Sequence, residues 1–349
     1  MVLQTEQKYK RDFTIDTLRG IAIFTMVAAN LAALALKEPH PFWFRLYGTW
    51  AAPMFILLSG FMVAYTSKKK KYNFRHFLVR GLMLLLIAVL IDTFIFRIYP
   101  FTGVDILYLI AVSSPLAYFF QNLKTFPQCA ILTGIFLLTP LLQKTLGYTD
   151  YPTQLYLFTG RSETISNQTS IINHWLIDGW FPLFPWVGFS FLGVLFAKLR
   201  KFYPSFARRN ILLGGGAIFF VGSIVWWFYP GKLLTRGGYS ELFYPPTIGY
   251  IMVAIGLMTM LFYLVDTNPS LNIYKPLQVL GQSSLFIYIL HNAIIAYVIP
   301  NLGLKNDIFK FFSIYIVLAS LLILIAYGLR AVKKRWRNSP YVIRFIIGG

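Results

Sequence analysis

With 57% hydrophobic side chains, 18% aromatic, only 13% charged and a mean hydropathy of +0.62, the 349 residues exclude an ordinary water-soluble globule. The net charge of +20 has no soluble basic domain to carry it, so nucleic acid is not an expected partner; Lys and Arg instead fit the cytoplasmic loops of a polytopic membrane protein. The single cysteine, Cys129, excludes an internal disulfide and a Cys-based metal cluster.

In chain order, MVLQTEQKYKRDF is polar and charged, which predicts a cytoplasmic segment over 1–12 rather than a cleavable signal. A helix needs about 20 mostly apolar residues to cross the hydrocarbon core. Runs of that kind predict ten spans, at about 13–35, 48–66, 77–96, 104–120, 126–143, 180–198, 211–229, 244–265, 280–299 and 308–330. The expected architecture is an all-α integral membrane bundle of about ten transmembrane helices. It comprises a domain over 13–330, an extracytoplasmic loop over 144–179 and a basic cytoplasmic tail over 331–349.

An even number of spans places both termini on one side, and the basic residues agree. The N-terminus (Lys8, Lys10, Arg11), the second-to-third-span loop (Lys68 to Lys71, Arg75, Arg80), the sixth-to-seventh (Lys198 to Arg209) and the tail fall together. They outnumber the basic residues of the other side more than twofold, so both termini are expected in the cytoplasm. The segment KEPHPFWFRLYGTW, with His40 between Pro39 and Pro41, is then extracytoplasmic. The loop over 144–179, aromatic and rich in Trp, reads as a lid over an outward-facing site, and Asn167-Gln168-Thr169 is a glycosylation sequon.

Ionisable or strongly polar side chains within spans are costly and face the bundle interior. The first span carries Asp16, Arg19 and Asn30. Arg19 and Asn30 are eleven residues apart, which returns them to nearly one face with ~16 Å of helix between them. Asp16 lies one turn from Arg19, so the two either pair with each other or leave the guanidinium to bind phosphate, which its fork geometry also suits. Asp92, Asp105 and His291 are the other polar groups at membrane depth, with Asp178 at the mouth of the sixth span. His291, a single buried histidine, reads more readily as a hydrogen-bonded packing residue than as a catalyst, and His174, in the outer loop, is a candidate to line the site. The basic segment before Arg80 reads as an anchor for anionic headgroups or as a phosphate-binding rim. No metal-ligand spacing such as His-Glu-x-x-His is present, so no metal is expected.

DTLRGIAIFTMVAAN followed by HPFWFRLYGTWAAPMFILLSGF resembles the start of the heparan-α-glucosaminide N-acetyltransferase-like family, a relative of the acyltransferase-3 membrane proteins. GVDILYLIAVSS, WFPLFPWVGFSFLGVLFAKL, LFYPPTIGYIMVAIGLM and LGQSSLFIYILHN follow in family order, so the resemblance extends over nearly the whole chain after residue 11. It implies a membrane enzyme that takes an acyl group, usually acetyl, from cytoplasmic acyl-CoA and delivers it to a sugar acceptor on the far side. His40 matches the family's catalytic histidine and Asn30 an asparagine upstream of it. Where acyltransferase-3 relatives have an arginine and then, after ten intervening residues, a histidine, this chain has Arg19 and Asn30, which moves the base role to His40. The segment TWAAP lacks the acidic residue many members carry there.

On this reading Arg19, Arg80 and Arg75 hold the cofactor phosphates, and His174, Asp178, His291 and Asp105 are substrate-binding candidates. Acetyl-CoA is the donor, membrane lipids and a sugar or glycan acceptor are the partners, homodimerisation is left open, and a bacterial inner membrane is the expected location. The rival class is a secondary transporter or a lipid-linked flippase without acyl transfer, for which ten spans serve equally well.

Overall fold

The computed structural model describes residues 11–149, 156–157, 170–202, 207–231, 241–303, 305–336 and 338–348. In chain order the helices are α1 (Phe13–Ala35), α2 (Phe42–Gly48), α3 (Ala51–Lys69), α4 (Phe74–Ile91), α5 (Ile106–Phe120), α6 (Thr125–Leu146) and α7 (Ile171–Asn173). They continue with α8 (Leu183–Phe202), α9 (Ala207–Phe228), α10 (Ile248–Thr267), α11 (Lys275–Gln282), α12 (Ser284–Tyr297), α13 (Ile308–Arg335) and α14 (Tyr341–Ile347). Two π-helical turns, Asp92–Phe96 and His174–Asp178, extend α4 and α7. Only two isolated β-bridges occur among the described residues.

Every expected span has a helix, and among the described residues nine segments are long and apolar enough to cross a membrane. The expected span over 104–120 is shorter: Ile106–Phe120 has 15 residues, about 22 Å of helix against a hydrocarbon core of about 30 Å. Its start is delayed because Phe101 and Val104 adopt left-handed backbone angles (φ 69° and 55°), which cannot continue into a right-handed helix. Side-chain caps fix other starts: Asp12 accepts from the Ile15 N–H, Asn73 from His76, Thr247 from Tyr250 and Asp307 from Lys310.

Helices pack most closely as the pairs α9/α10, α3/α8, α1/α11 and α4/α5. The α3/α8 contact brings backbones together through two glycines. A Cβ on Gly60 would lie 1.8 Å from the Ser190 carbonyl oxygen, and one on Gly193 1.9 Å from that of Leu57. Such small-residue contacts suit helices whose surroundings are as apolar as their side chains.

Both described chain ends converge at one end of the bundle, here termed basal. The Asp16 carboxylate accepts from Arg11 Nε (2.6 Å) and Gln282 Nε2 (3.3 Å). Lys333 Nζ, at the end of α13, donates to the Gln282 carbonyl (3.0 Å), Ser283 Oγ (2.9 Å) and the Gly348 carbonyl (3.2 Å). Arg200 ties the same end together by donating to Asp12 and, at 2.6 Å, to Asp266. At the opposite, distal end, Lys37 N donates to the Asn306 carbonyl and Asn306 N to that of Ala35, both at 2.9 Å, so the exit of α1 is stitched to the loop before α13.

Candidate functional site

His40 follows that stitched exit of α1 and precedes α2. The position of α2 is set by Phe44, fully buried, whose ring meets Phe311 (5.2 Å, edge-on) and Phe312 (6.1 Å) of α13. His40 is therefore held between two anchored elements rather than on a free loop. It is 9% exposed, its Nε2 lies 3.3 Å from the Leu36 carbonyl and its ring meets Phe44 edge-on. A carbonyl only accepts, so Nε2 carries the proton of the neutral ring and Nδ1 the lone pair. Burial pushes the imidazole below its ordinary value, with the Leu36 bond acting in the opposite direction. A neutral ring at neutral pH is the base-competent form. Glu38, Pro39, His40 and Arg45 line a cavity of about 390 Å³.

Asn30 stands five residues before the end of α1 and is joined to His291 rather than to His40: its Nδ2 lies 3.1 Å from His291 Nε2. His291 is fully buried on α12, and its Nδ1 lies 3.0 Å from the Ile287 carbonyl. One turn away Tyr288 meets the His291 ring edge-on at 5.5 Å and donates its hydroxyl to Asp105, at the N-terminus of α5. Asp92, in the π-turn after α4, accepts from Tyr108 at 2.6 Å. The His174 and Asp178 side chains meet each other at 2.9 Å across a single π-turn, and Thr149 donates to Asp178 at 3.0 Å. Of the four substrate-binding candidates, His174 and Asp178 thus form one cluster, and Asp105 and His291 flank Tyr288 in another.

The described parts of the 144–179 segment pack on the loop before α5. Leu157 N donates to the Arg97 carbonyl and Trp175 meets Tyr108 at 5.7 Å, while Trp180, just past the segment, donates its N–H to the Gly103 carbonyl. The sequon Asn167-Gln168-Thr169 lies outside the described residues.

At the basal end, Arg19 is half-buried on α1 and makes no ion pair among the described residues, because Asp16 pairs with Arg11. Of the two readings open for Asp16 and Arg19, mutual pairing is not the one found: Arg11 approaches the carboxylate from the segment preceding the helix. The Arg80 guanidinium stacks 4.8 Å from the ring of Phe345 on α14, so the chain's last described helix lies against this basic patch. Arg75 is exposed on the first turn of α4. Among the described residues no cluster of three or more His, Cys, Asp or Glu could hold a metal ion.

One residue that sequence reasoning passed over is Glu241. It is 6% exposed, its Oε2 has no hydrogen-bond partner among the described residues, and it lies within electrostatic reach of Arg45. Leu242 N donates to Thr49 Oγ1 (2.9 Å), which itself donates to the Arg45 carbonyl (2.6 Å), so a carboxylate from a distant loop arrives beside the α2/α3 junction. The available signal was a lone acidic residue before the apolar run LFYPP in a chain with only 12 acidic residues.

Burial lifts the Glu241 carboxyl from about 4.5 to about 7, so between these values the folded chain retains a proton that the unfolded chain has lost. Stability from this group is therefore present at low pH and lost as pH rises through 7, by an amount on the order of 3 kcal/mol. Glu241→Gln is expected to match the parent in thermal denaturation at pH 5 and exceed it at pH 8. A parent-to-variant difference independent of pH would contradict this.

Residues 11–228 match the family described as heparan-alpha-glucosaminide N-acetyltransferase, catalytic. No curated protein matches the chain. The matched stretch includes Arg19, Asn30, His40, Arg75, Arg80, Asp105, His174 and Asp178; Glu241 and His291 lie beyond it.

Proposed function

Since the chain belongs to the heparan-α-glucosaminide N-acetyltransferase catalytic family and is a multi-pass membrane protein, we propose that it carries an acetyl group across the bilayer. The donor is acetyl-CoA held at a basal, cytoplasmic mouth, and the acceptor is an amine or hydroxyl of a sugar or glycan at the distal, extracytoplasmic mouth. The observation that carries this reading is a single helix, α1. It bears Arg19 near its basal end and Asn30 ~16 Å farther along, and it leads into the buried, cavity-lining His40. Kinship with the acyltransferase-3 proteins, a bacterial inner membrane and an envelope glycan acceptor belong to the same proposal.

Arg19 and Arg80, with Arg75 at the rim, bind the cofactor phosphates by charge-assisted hydrogen bonds. His40 Nδ1 takes the proton of the acceptor N–H or O–H as that atom attacks the thioester carbonyl carbon. The tetrahedral oxyanion accepts hydrogen bonds from donors that include the Asn30 amide. Collapse breaks the C–S bond, and the thiolate of CoA takes the proton back from His40. The acceptor leaves acetylated. In the alternative route His40 accepts the acetyl group itself and then releases it to the acceptor.

The test uses detergent-purified full-length protein with acetyl-CoA radiolabelled on the acetyl group and 4-nitrophenyl α-D-glucosaminide. Thermal stabilisation by acetyl-CoA, weakened in Arg19→Gln, together with label on the glucosaminide is the expected result. Rapid quenching with acetyl-CoA alone separates the routes, since only the covalent one leaves label on protein. Stabilisation by a solute or an ion but by no acyl-CoA would favour the transporter class.

A further inference from the structure

The contact between Asn30 and His291 spans 261 positions of sequence and links α1 to α12. Its chemistry is determined from the far side of the ring. The Ile287 carbonyl, 3.0 Å from His291 Nδ1, can only accept, so Nδ1 carries the proton. In the neutral imidazole Nε2 is then a lone pair, and the group 3.1 Å from it must be a donor. That group is the amide nitrogen of Asn30, not its oxygen. A flipped amide would set two lone pairs against each other across a part-buried contact whose histidine side is fully buried.

His291 is itself held. Its backbone lies on α12 between Tyr288, whose hydroxyl is bonded to Asp105, and Asn292, whose Nδ2 donates to the Tyr288 carbonyl at 3.0 Å. The ring is 0% exposed, and its edge-on contact with Tyr288 opposes rotation about the Cβ–Cγ bond. The Asn30 amide therefore meets a fixed acceptor.

We propose that His291 is the positioning residue of the transfer centre: its Nε2 lone pair binds one N–H of Asn30 and so fixes which end of that amide faces the reacting thioester. The inference rests on the proposed role of Asn30 as an oxyanion donor. With one N–H held by His291, the second N–H of the same nitrogen is left to bond the developing oxyanion. Preorganised donors of this kind lose their value when they must reorient during reaction. His291 touches neither donor nor acceptor in this scheme and transfers no proton.

The experiment compares His291→Gln, His291→Leu, Asn30→Ala and the double variant Asn30→Ala/His291→Leu in the labelled acetyl-CoA and 4-nitrophenyl α-D-glucosaminide assay, each purified and checked by thermal denaturation. Gln restores an acceptor oxygen near the position of Nε2, whereas Leu removes it. His291→Gln is expected to keep kcat within about threefold of the parent, and His291→Leu to lose at least about tenfold in kcat with KM for acetyl-CoA unchanged. In the Asn30→Ala background, His291→Leu is expected to cost nothing further, because the group it positions is gone. Three results would overturn the inference: full activity of His291→Leu, equal damage by Gln and Leu in proteins that denature like the parent, or full additivity in the double variant. Full activity of Asn30→Ala overturns the Asn30 role and this inference with it; an inactive Asn30→Ala beside a fully active His291→Leu overturns the positioning role alone.

Discussion

His40→Ala is expected to lower kcat for acetyl transfer by about 10²- to 10⁴-fold while acetyl-CoA still raises the thermal midpoint as in the parent. The separation follows from the layout: the proposed phosphate ligands are at the basal end, and His40 is beyond the exit of α1 at the other. Among the described residues, loss of the imidazole removes a 3.3 Å bond to the Leu36 carbonyl and an edge-on ring contact, contributions that cost about 1 kcal/mol of stability. The pH profile carries a second signature. A base must be deprotonated to act, and burial pushes His40 below 6.5, so the acid limb of kcat/KM in the parent is expected below that value. Turnover retained in His40→Ala, or an acid limb above 6.5, would remove His40 from the base role.

The bundle was legible because the membrane demands a pattern that composition alone displays: every apolar run near 20 residues became a helix. What escaped was local backbone chemistry. Neither π-turn was signalled, because His174–Asp178 owes its geometry to a buried side-chain pair and Asp92–Phe96 ends at Arg97 in the left-handed region. The late start of α5 depends on backbone angles at Phe101 and Val104, and these are not a property of residue type. Within the candidate site, Arg19 and Asn30 could be placed along one helix, with His40 beyond its exit, because spacing converts directly into height and face. Their partners could not be placed. His291 meets Asn30 and Glu241 reaches the α2/α3 junction only through the packing of α12 and of the loop before α10, which no local pattern encodes. Asp16 shows the same limit at short range: the neighbour one turn away was an available partner, and the arginine before the helix is the one it has.

Gly193→Val and Gly60→Val are expected to abolish recovery of monodisperse protein, and the alanine variants at these positions to lower the thermal midpoint by roughly 5 °C or more. At 1.8 to 1.9 Å the added Cβ would overlap a backbone carbonyl oxygen of the facing helix, and a carbonyl within a helix cannot rotate away without losing its own hydrogen bond. The only relief is to separate α3 from α8. That would open the contacts around Ile56, Leu57, Phe61, Phe189 and Leu192, all within the larger buried cluster. The control is Gly134→Ala on α6, where a Cβ meets nothing within 4 Å. There the gain in helix propensity, roughly 1 kcal/mol, is unopposed, and the midpoint should stay level or rise. Because α3 follows directly from α2, which carries Arg45 and the wall of the His40 cavity, separation of α3 from α8 also moves that wall. Gly193→Ala protein that does fold should therefore lose transfer faster than it loses acetyl-CoA binding. Equal melting of the Gly193→Ala and Gly134→Ala proteins would show that the α3/α8 contact is looser than these distances require.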